Sequence, residues 1–241
     1  MRFVSGITKN EQKLVRGIQA AVGAVQDNSI GQQTLTDLAC VLHANVFPLC
    51  VDIFGHPVMI AHDLRPAAVN APLKNYANAI SGSFSWKGKP CSILVCDGSA
   101  VATDACHYWT LGSPESVLYR TLDGKYGIRR CHTVKDLPSG TRWAIGGMGL
   151  LDSYDPAAEG FIGKYADVTK KNTHTFVGVK HGMVYLGYVS NMTGAQVNAH
   201  AKKLGLDMAI MLDGGHISAI NNEETQINTR LTVQSYIVQA L

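Results

Sequence analysis

The stretch Met208-Ala209-Ile210-Met211-Leu212-Asp213-Gly214-Gly215-His216 carries the residue types and spacing best suited to chemistry. Its opening run of apolar residues reads as a fully buried strand. The run stops at Asp213, and two glycines follow at once. Glycine adopts φ > 0 at little steric cost and lets another group approach the backbone closely. A strand ending in Asp-Gly-Gly-His therefore puts one carboxylate and one imidazole at the mouth of a sheet, with the adjacent backbone N–H groups bare for a ligand. Asp-Gly is also an ordinary turn dipeptide, so a purely structural turn is the competing reading.

The elements before this stretch are the ones that must position it. Met183–Val189 reads as a strand. Gly194 to Leu204 sets Val197, Ala201 and Leu204 on one face at helical spacing, and Gly205 stands where a terminating glycine belongs. The local order is strand, helix, buried strand, glycine-rich loop. Ligands in sheets flanked by helices tend to bind beyond the carboxyl ends of strands, where Asp213 falls.

Composition bounds the rest. The 241 residues suffice for one full domain and a small appendage; 46% are hydrophobic and 16% charged, which provides a large core and argues against disorder. A net charge of +3 is too small and too evenly spread to point to nucleic acid. No apolar run approaches the roughly 18 residues of a membrane span. Met1 to Lys13 contains no apolar h-region, so the expectation is cytoplasmic synthesis without a signal peptide. The six cysteines form no C-x-x-C pair, and His56, His62 and Asp63 lack a recognised metal-ligand spacing. Neither a metal nor a cofactor is expected.

In chain order, residues 1–45 read as a small helical unit with Ile18, Val22, Ile30, Leu35 and Leu38 in its core. From residue 46 the composition turns to β-branched runs broken by Gly, Pro and Asn. Val46–Ile53, Pro57–Ala61 and Ile93–Cys96 read as strands, and Val117–Arg120 with Gly127–Arg130 form a hairpin about Asp123-Gly124. Trp143–Leu151 reads as a strand entering a glycine-rich bend at Gly146-Gly147. Pro66–Asn78 is mixed and polar, a helix or loop, and Asp152–Thr173 reads as a surface loop. Thr175–Val179 pairs with Met183–Val189, and Leu231–Val238 closes the chain as a strand. Strands that follow one another through tight turns favour an α+β domain with a mixed sheet over a doubly wound one.

Two resemblances come from these pieces. Ile18-Gln19, Val22-Gly23, Asp27-Asn28, Ile30-Gly31 and Thr34-Leu35 resemble the peptidoglycan-binding helical repeat of cell-wall hydrolases, with Asn28 in place of the usual glycine and no third helix. Residues 46–241 resemble the phosphodiester glycosidase family. The resemblance rests on the order of Ser81-Gly82-Ser83-Phe84, Pro90 through Asp97-Gly98, Gly146-Gly147, His174 through Val179, Leu212 through His216, and Arg230-Leu231-Thr232-Val233. Three positions depart from the family: Ser81 stands in place of asparagine, His174 in place of arginine, and His216-Ile217-Ser218 in place of Gly-Ser-Ser.

Members of that family cleave the C1–O bond of a sugar-1-phosphodiester. Phosphate is a good leaving group, so a carboxylate near C1 and donors facing the phosphate matter more than a strong general acid. The resemblance implies Asp213 as that carboxylate, with His216 and His174 beside it in the catalytic set. Gly214, Gly215, Arg230, Ser81, Gly82 and Gly147 are the implied substrate-binding positions. In place of a family arginine, His174 would make binding pH-dependent near neutrality. The structural alternatives are an Arg230 paired with Glu223 or Glu224 and a His174 exposed on its strand. The implied partner is a bacterial cell-wall glycan or a sugar-phosphate ligand, in a phage or bacterial lysis context. The altered positions leave open a non-catalytic binding protein for a sugar-phosphate or nucleotide-like ligand, and a peptidoglycan glycosidase is a third, weaker reading.

Overall fold

A computed structural model describes residues 16, 50–51, 55–105, 112–221, 226–230, 232–233 and 236–240. The helical unit expected over 1–45, Arg16 apart, and most of the strand expected over Val46–Ile53 lie outside the described residues.

Nineteen strands are described. The first nine are β1 (Cys50–Val51), β2 (Pro57–Ala61), β3 (Leu64–Ala68), β4 (Ala71–Pro72), β5 (Ala79–Ser81), β6 (Ser85–Trp86), β7 (Lys89–Pro90), β8 (Leu94–Cys96) and β9 (Ser99–Ala102). Next come β10 (Glu115–Thr121), β11 (Tyr126–Cys131), β12 (Thr141–Gly149), β13 (Asn172–Lys180) and β14 (Met183–Met192). Helix α1 (Gly194–Leu204) precedes β15 (Met208–Gly214), β16 (Ile220–Asn221), β17 (Gln226–Ile227), β18 (Thr232–Val233) and β19 (Tyr236–Ala240).

The main sheet runs β1-β2-β14-β13-β15-β12-β10-β11, with β8 and β9 joined to it through β12. A second sheet runs β17-β16-β5-β19-β3. Every described pairing is antiparallel, which corrects the expectation of a mixed sheet. Tight turns account for this, since two-residue turns can join only antiparallel neighbours. Asp97-Gly98 and His181-Gly182 are such turns, with φ of 46° and 79° in the first and 52° and 76° in the second. The crossover β14-α1-β15 leaps β13 and leaves β14 and β15 parallel to each other.

The domain is also poorer in helix than expected. Pro66 and Pro72 lack the N–H a helix interior needs, and Pro66–Asn78 forms β3, β4 and a single 3-10 turn, Leu73–Asn75. Asp152–Thr173 carries short 3-10 turns, and its Glu159 and Phe161 are buried, so it is more than a surface loop. By contrast α1 follows its sequence signals. Thr193 and Gln196 form a capping box, Gly205 ends the helix at φ 68°, and Val197, Ala201 and Leu204 are buried.

Alternation along the strands divides the core into two layers. Val177, Val179, Leu186, Ile210 and Leu212 face the second sheet, where they meet Leu64, Ile80, Ile220 and Val238. Phe176, Tyr185, Ala209 and Met211 point the other way, onto Val197, Ala201 and Leu204 of α1 and onto Phe161. With both faces covered, the central strands are apolar throughout, which explains the unbroken run Met208–Leu212.

One buried carboxylate fastens the β10–β12 region to the turn between β2 and β3. Asp63 accepts from the Trp143 indole at 2.8 Å and from the Leu64 N–H at 2.9 Å. Its second oxygen accepts from Arg120 at 2.5 Å and Arg142 at 2.8 Å. Asp63 therefore holds the arginines in place, and its oxygens are taken by protein donors. Among the described residues no group of His, Cys, Asp or Glu side chains is arranged to hold a metal. Replacing Asp63 with Asn would set an amide N–H₂ against two guanidinium groups. We expect Asp63→Asn to lower the unfolding free energy by about 1–3 kcal/mol, read as a lower denaturant midpoint; an unchanged midpoint would show that the arginines need no partner.

Candidate functional site

The site is built where β12 changes partner. Along one edge β12 pairs with β15 at Met148↔Met211 and Gly149↔Ile210. Further along, β8 takes over that edge at Ile145↔Leu94 and Ala144↔Val95, and the Gly146 N–H reaches the Ile93 carbonyl at 2.8 Å. Strands β15 and β8 run in the same direction, so β15 peels away as β8 begins. Gly146 and Gly147 mark the fork. A Cβ on Gly147 would lie 2.5 Å from the Met211 carbonyl oxygen, and one on Gly146 would strike the Glu115 carboxylate. The expected bend is therefore an unbroken strand, and Gly147 permits close packing from a buried position instead of facing a ligand.

Beyond the fork the end of β15 needs new partners. The Asp213 N–H donates to the Gly82 carbonyl at 3.0 Å. Thr175 Oγ1 donates to the Ser81 carbonyl at 3.0 Å and to the Asp213 carbonyl at 3.2 Å. Ser81 is 1% exposed; its Oγ accepts from the Ala219 N–H at 3.0 Å, and its own N–H donates to the Ala219 carbonyl at 2.9 Å. The structure thus brings Ser81 and Gly82 beside Asp213, with their carbonyls taken up in holding the strand end. Ser81 has become a fastening for Ala219.

Asp213 itself is half-buried at the strand end. Its Oδ1 accepts the Gly214 N–H at 2.8 Å. The Gly214 N–H is therefore not bare, a correction to the expected donor set. Gly215 follows at φ 75° and opens a 3-10 turn, Gly215–Ile217, on which His216 is exposed. Asn172, which the sequence did not single out, lies alongside: its Nδ2 would be 3.3 Å from a Cβ placed on Gly215.

His174 requires a larger correction. It pairs across from Gly214 but is 1% exposed. Its Nε2 sits 2.9 Å from the Met192 carbonyl and 3.3 Å from that of Lys170. Carbonyls only accept, which assigns the proton to Nε2. Burial pushes its pKa below the ordinary histidine value, against the opposing pull of those two carbonyls. His174 is thus a neutral, buried ring, neither an exposed strand residue nor a cationic phosphate donor. Its Nδ1 has no hydrogen-bond partner and would be 2.8 Å from a Cβ on Gly214.

Arg230 is exposed on the segment Asn228–Arg230. Asn228 Nδ2 donates to the Ser218 carbonyl at 2.9 Å, and the Thr229 carbonyl accepts from the Lys74 N–H at 2.8 Å. The first bond holds the segment against the end of the turn that carries His216, and the second ties it to the turn Leu73–Asn75. Glu223 and Glu224 lie outside the described residues. Around this strand end Asp213 and Gly215 are half-buried, and His216, Asn172 and Arg230 are exposed. One carboxylate among potential donors can stabilise a cationic carbon or activate water while the donors receive an anion.

Comparisons with known proteins bear on the fold. No protein-family model matches the sequence, and no match is found among curated proteins. Among solved structures, the chain is similar to the catalytic domain of zebrafish N-acetylglucosamine-1-phosphodiester alpha-N-acetylglucosaminidase, auto-inhibited by its pro-peptide. That match has a TM-score of 0.59 and 15% identity, and covers 82% of each chain. A hypothetical protein from Synechocystis matches with a TM-score of 0.52 and 12% identity, over 80% of this chain and 61% of that one. The chain shares the fold of these proteins.

A second carboxyl group was missed in the sequence because it lies in the segment read as a surface loop. Glu159 is fully buried and accepts from Ser116 Oγ at 2.7 Å and from the Gly149 N–H at 3.0 Å, with Arg130 Nε at 3.8 Å. Burial raises its pKa from 4.5 to about 7, outweighing those donors and the arginine. The folded state therefore favours the protonated acid. This contribution to stability is complete below the unfolded carboxyl range and is lost as pH rises through about 7. Over that span wild type should lose roughly 3 kcal/mol relative to Glu159→Gln. Thermal melts of both proteins across the range check this, and parallel pH profiles would refute it.

Proposed function

We propose that this chain is a glycoside hydrolase acting on a sugar-1-phosphodiester linkage, with Asp213 as the carboxylate beside the sugar C1. The observation that carries the reading is the half-buried Asp213 carboxylate at the open end of the central strand. Support comes from a fold shared with an enzyme whose name specifies that linkage. In the reaction, water oxygen bonds to C1 as the C1–O bond breaks. The phosphomonoester leaves as its anion, and the water proton passes to Asp213. Asp213 also offsets positive charge at C1 as the bond lengthens. To the phosphate we assign His216, Arg230 and the backbone about Gly215, Arg230 through its fork of donors.

The substrate we propose is a bacterial cell-wall polymer, reached in a phage or bacterial lysis context, with residues 1–45 holding the chain on the wall. A second reading is favoured by the spent polar groups of Ser81 and the neutral His174. In that reading the same mouth binds a sugar-phosphate or nucleotide-like ligand without turning it over.

Asp213→Asn separates the readings. It keeps the shape and most hydrogen-bonding capacity but removes the charge, so a group acting in the transition state should lose kcat with little change in melting temperature. For an N-acetylglucosamine-1-phosphodiester we expect wild type to release free sugar and Asp213→Asn to do so about 10²-fold more slowly. No release by wild type, with retained binding, would favour the binding protein. Equal turnover by both would place the site elsewhere.

A further inference from the structure

Four large hydrophobic side chains are conspicuously exposed among the described residues, and two of them line the same groove: Trp86 at 41% and Val101 at 47%. The groove encloses about 490 Å³, within the size range of small-molecule sites. Its apolar floor is completed by Pro90 and Ala102, and its polar groups are Lys89, Thr103 and Asp104.

Trp86 is held in place by its hairpin. Ser85 pairs with Pro90 and Trp86 with Lys89 across a two-residue turn, Lys87-Gly88, with φ of 49° and 76°. Both values suit the tight turn type that matches strand twist, so the indole stands on a short rigid platform. Also in the lining, Thr103 Oγ1 donates to Asp104 Oδ2 at 2.6 Å, and the Asp104 backbone forms an antiparallel β-bridge with Thr133. The Asp104 carboxylate keeps further acceptor capacity, and Lys89 also lines the groove.

The groove is continuous in the chain with the candidate site. Gly82, which accepts from Asp213, lies three residues before Ser85, and the Cys91 N–H closes the hairpin base on the Phe84 carbonyl at 3.1 Å. Cys91 lines the groove, and two residues later Ile93 enters the fork beside Gly146. One short segment, 82–93, therefore runs from the Asp213 backbone to the groove and back to the fork.

We propose that this groove is a carbohydrate subsite, which seats a sugar ring of the polymer beyond the scissile linkage. It deepens the reading of Asp213 as a sugar-1-phosphodiester hydrolase and rests on it for the choice of ligand. A pyranose presents an apolar face of C–H groups and an equator of hydroxyls. Trp86 offers a flat apolar surface for the face, while Lys89, Asp104 and Thr103 supply donors and acceptors for the rim.

The test uses the full chain and a trimer of N-acetylglucosamine, which contains no phosphate. The Trp86 indole N–H signal, assigned with Trp86→Phe, is followed by NMR during titration. We expect it to shift with a dissociation constant on the order of 1 mM, and to do so equally in Asp213→Asn. Trp86→Ala should weaken binding roughly tenfold, with Trp86→Phe in between and melting temperatures unchanged. An unmoved Trp86 signal, equal binding by Trp86→Ala, or a shift that follows protein concentration instead of titrant, would overturn the subsite. Hydrolysis of the small phosphodiester is measured separately. Sugar release without a Trp86 response removes the subsite alone, and a Trp86 response without sugar release removes the hydrolase reading alone.

Discussion

The hydroxyl of Thr175 ties the strand end that carries Asp213 to the second sheet. It donates to carbonyls of both Ser81 and Asp213, which belong to different sheets. The last turn of the problem is a strand end: β15 is paired on both edges up to Met211, after which β12 is lost to it. An unpaired strand end beside a core is costly, because buried backbone polar groups must find partners. The Gly82 carbonyl and the Thr175 hydroxyl meet that need for Asp213. They also fix the Asp213 backbone against two sheets at once, the kind of anchoring that gives a reacting group its positional accuracy.

The same accounting explains the glycines at the fork. Gly146 and Gly147 serve packing: they let Glu115 and Met211 come within a distance that no Cβ tolerates, and bring the Ile93 N–H close as well. Strand β12 can then hand its edge from β15 to β8 without a break. The departure of β15 opens the mouth, and the arrival of β8 anchors the segment carrying Trp86. Packing constraints deep in the sheet thus set the outline of the surface.

Much of this was legible in the sequence where local rules suffice. The apolar run ending at Asp213, the capped helix Gly194–Leu204 and the Asp-Gly hairpin each follow from periodicity or turn chemistry within a few residues. The misreadings share a cause. Gly146-Gly147 looks like a bend until Met211 is placed across from it, and Asp152–Thr173 looks like loop until Glu159 meets Ser116 and Gly149. Asn172 and Thr175 carried no signal because their roles depend on partners 38 or more residues away or on a neighbouring turn. Local pattern reports the element; burial and pairing partner come only with the tertiary register.

His174 shows how far such a change of partner can alter chemistry. An arginine here would need several acceptors and solvent or anion contact, because its charge cannot be shed. The position instead offers a closed pocket with two carbonyls on one side and the Gly214 Cα on the other. Imidazole fits because it can lose its charge: one nitrogen donates to the carbonyls and the other carries no proton. Positive charge is thereby removed from the layer beneath Gly214. On the proposed function an anion at the mouth is met from outside, by His216 and Arg230, whose exposed positions leave them screened by solvent and salt. On the proposed function, ligand binding here depends more on shape and hydrogen bonding around Asp213 than on a buried cation, which makes a separate apolar surface such as that of Trp86 more valuable to affinity.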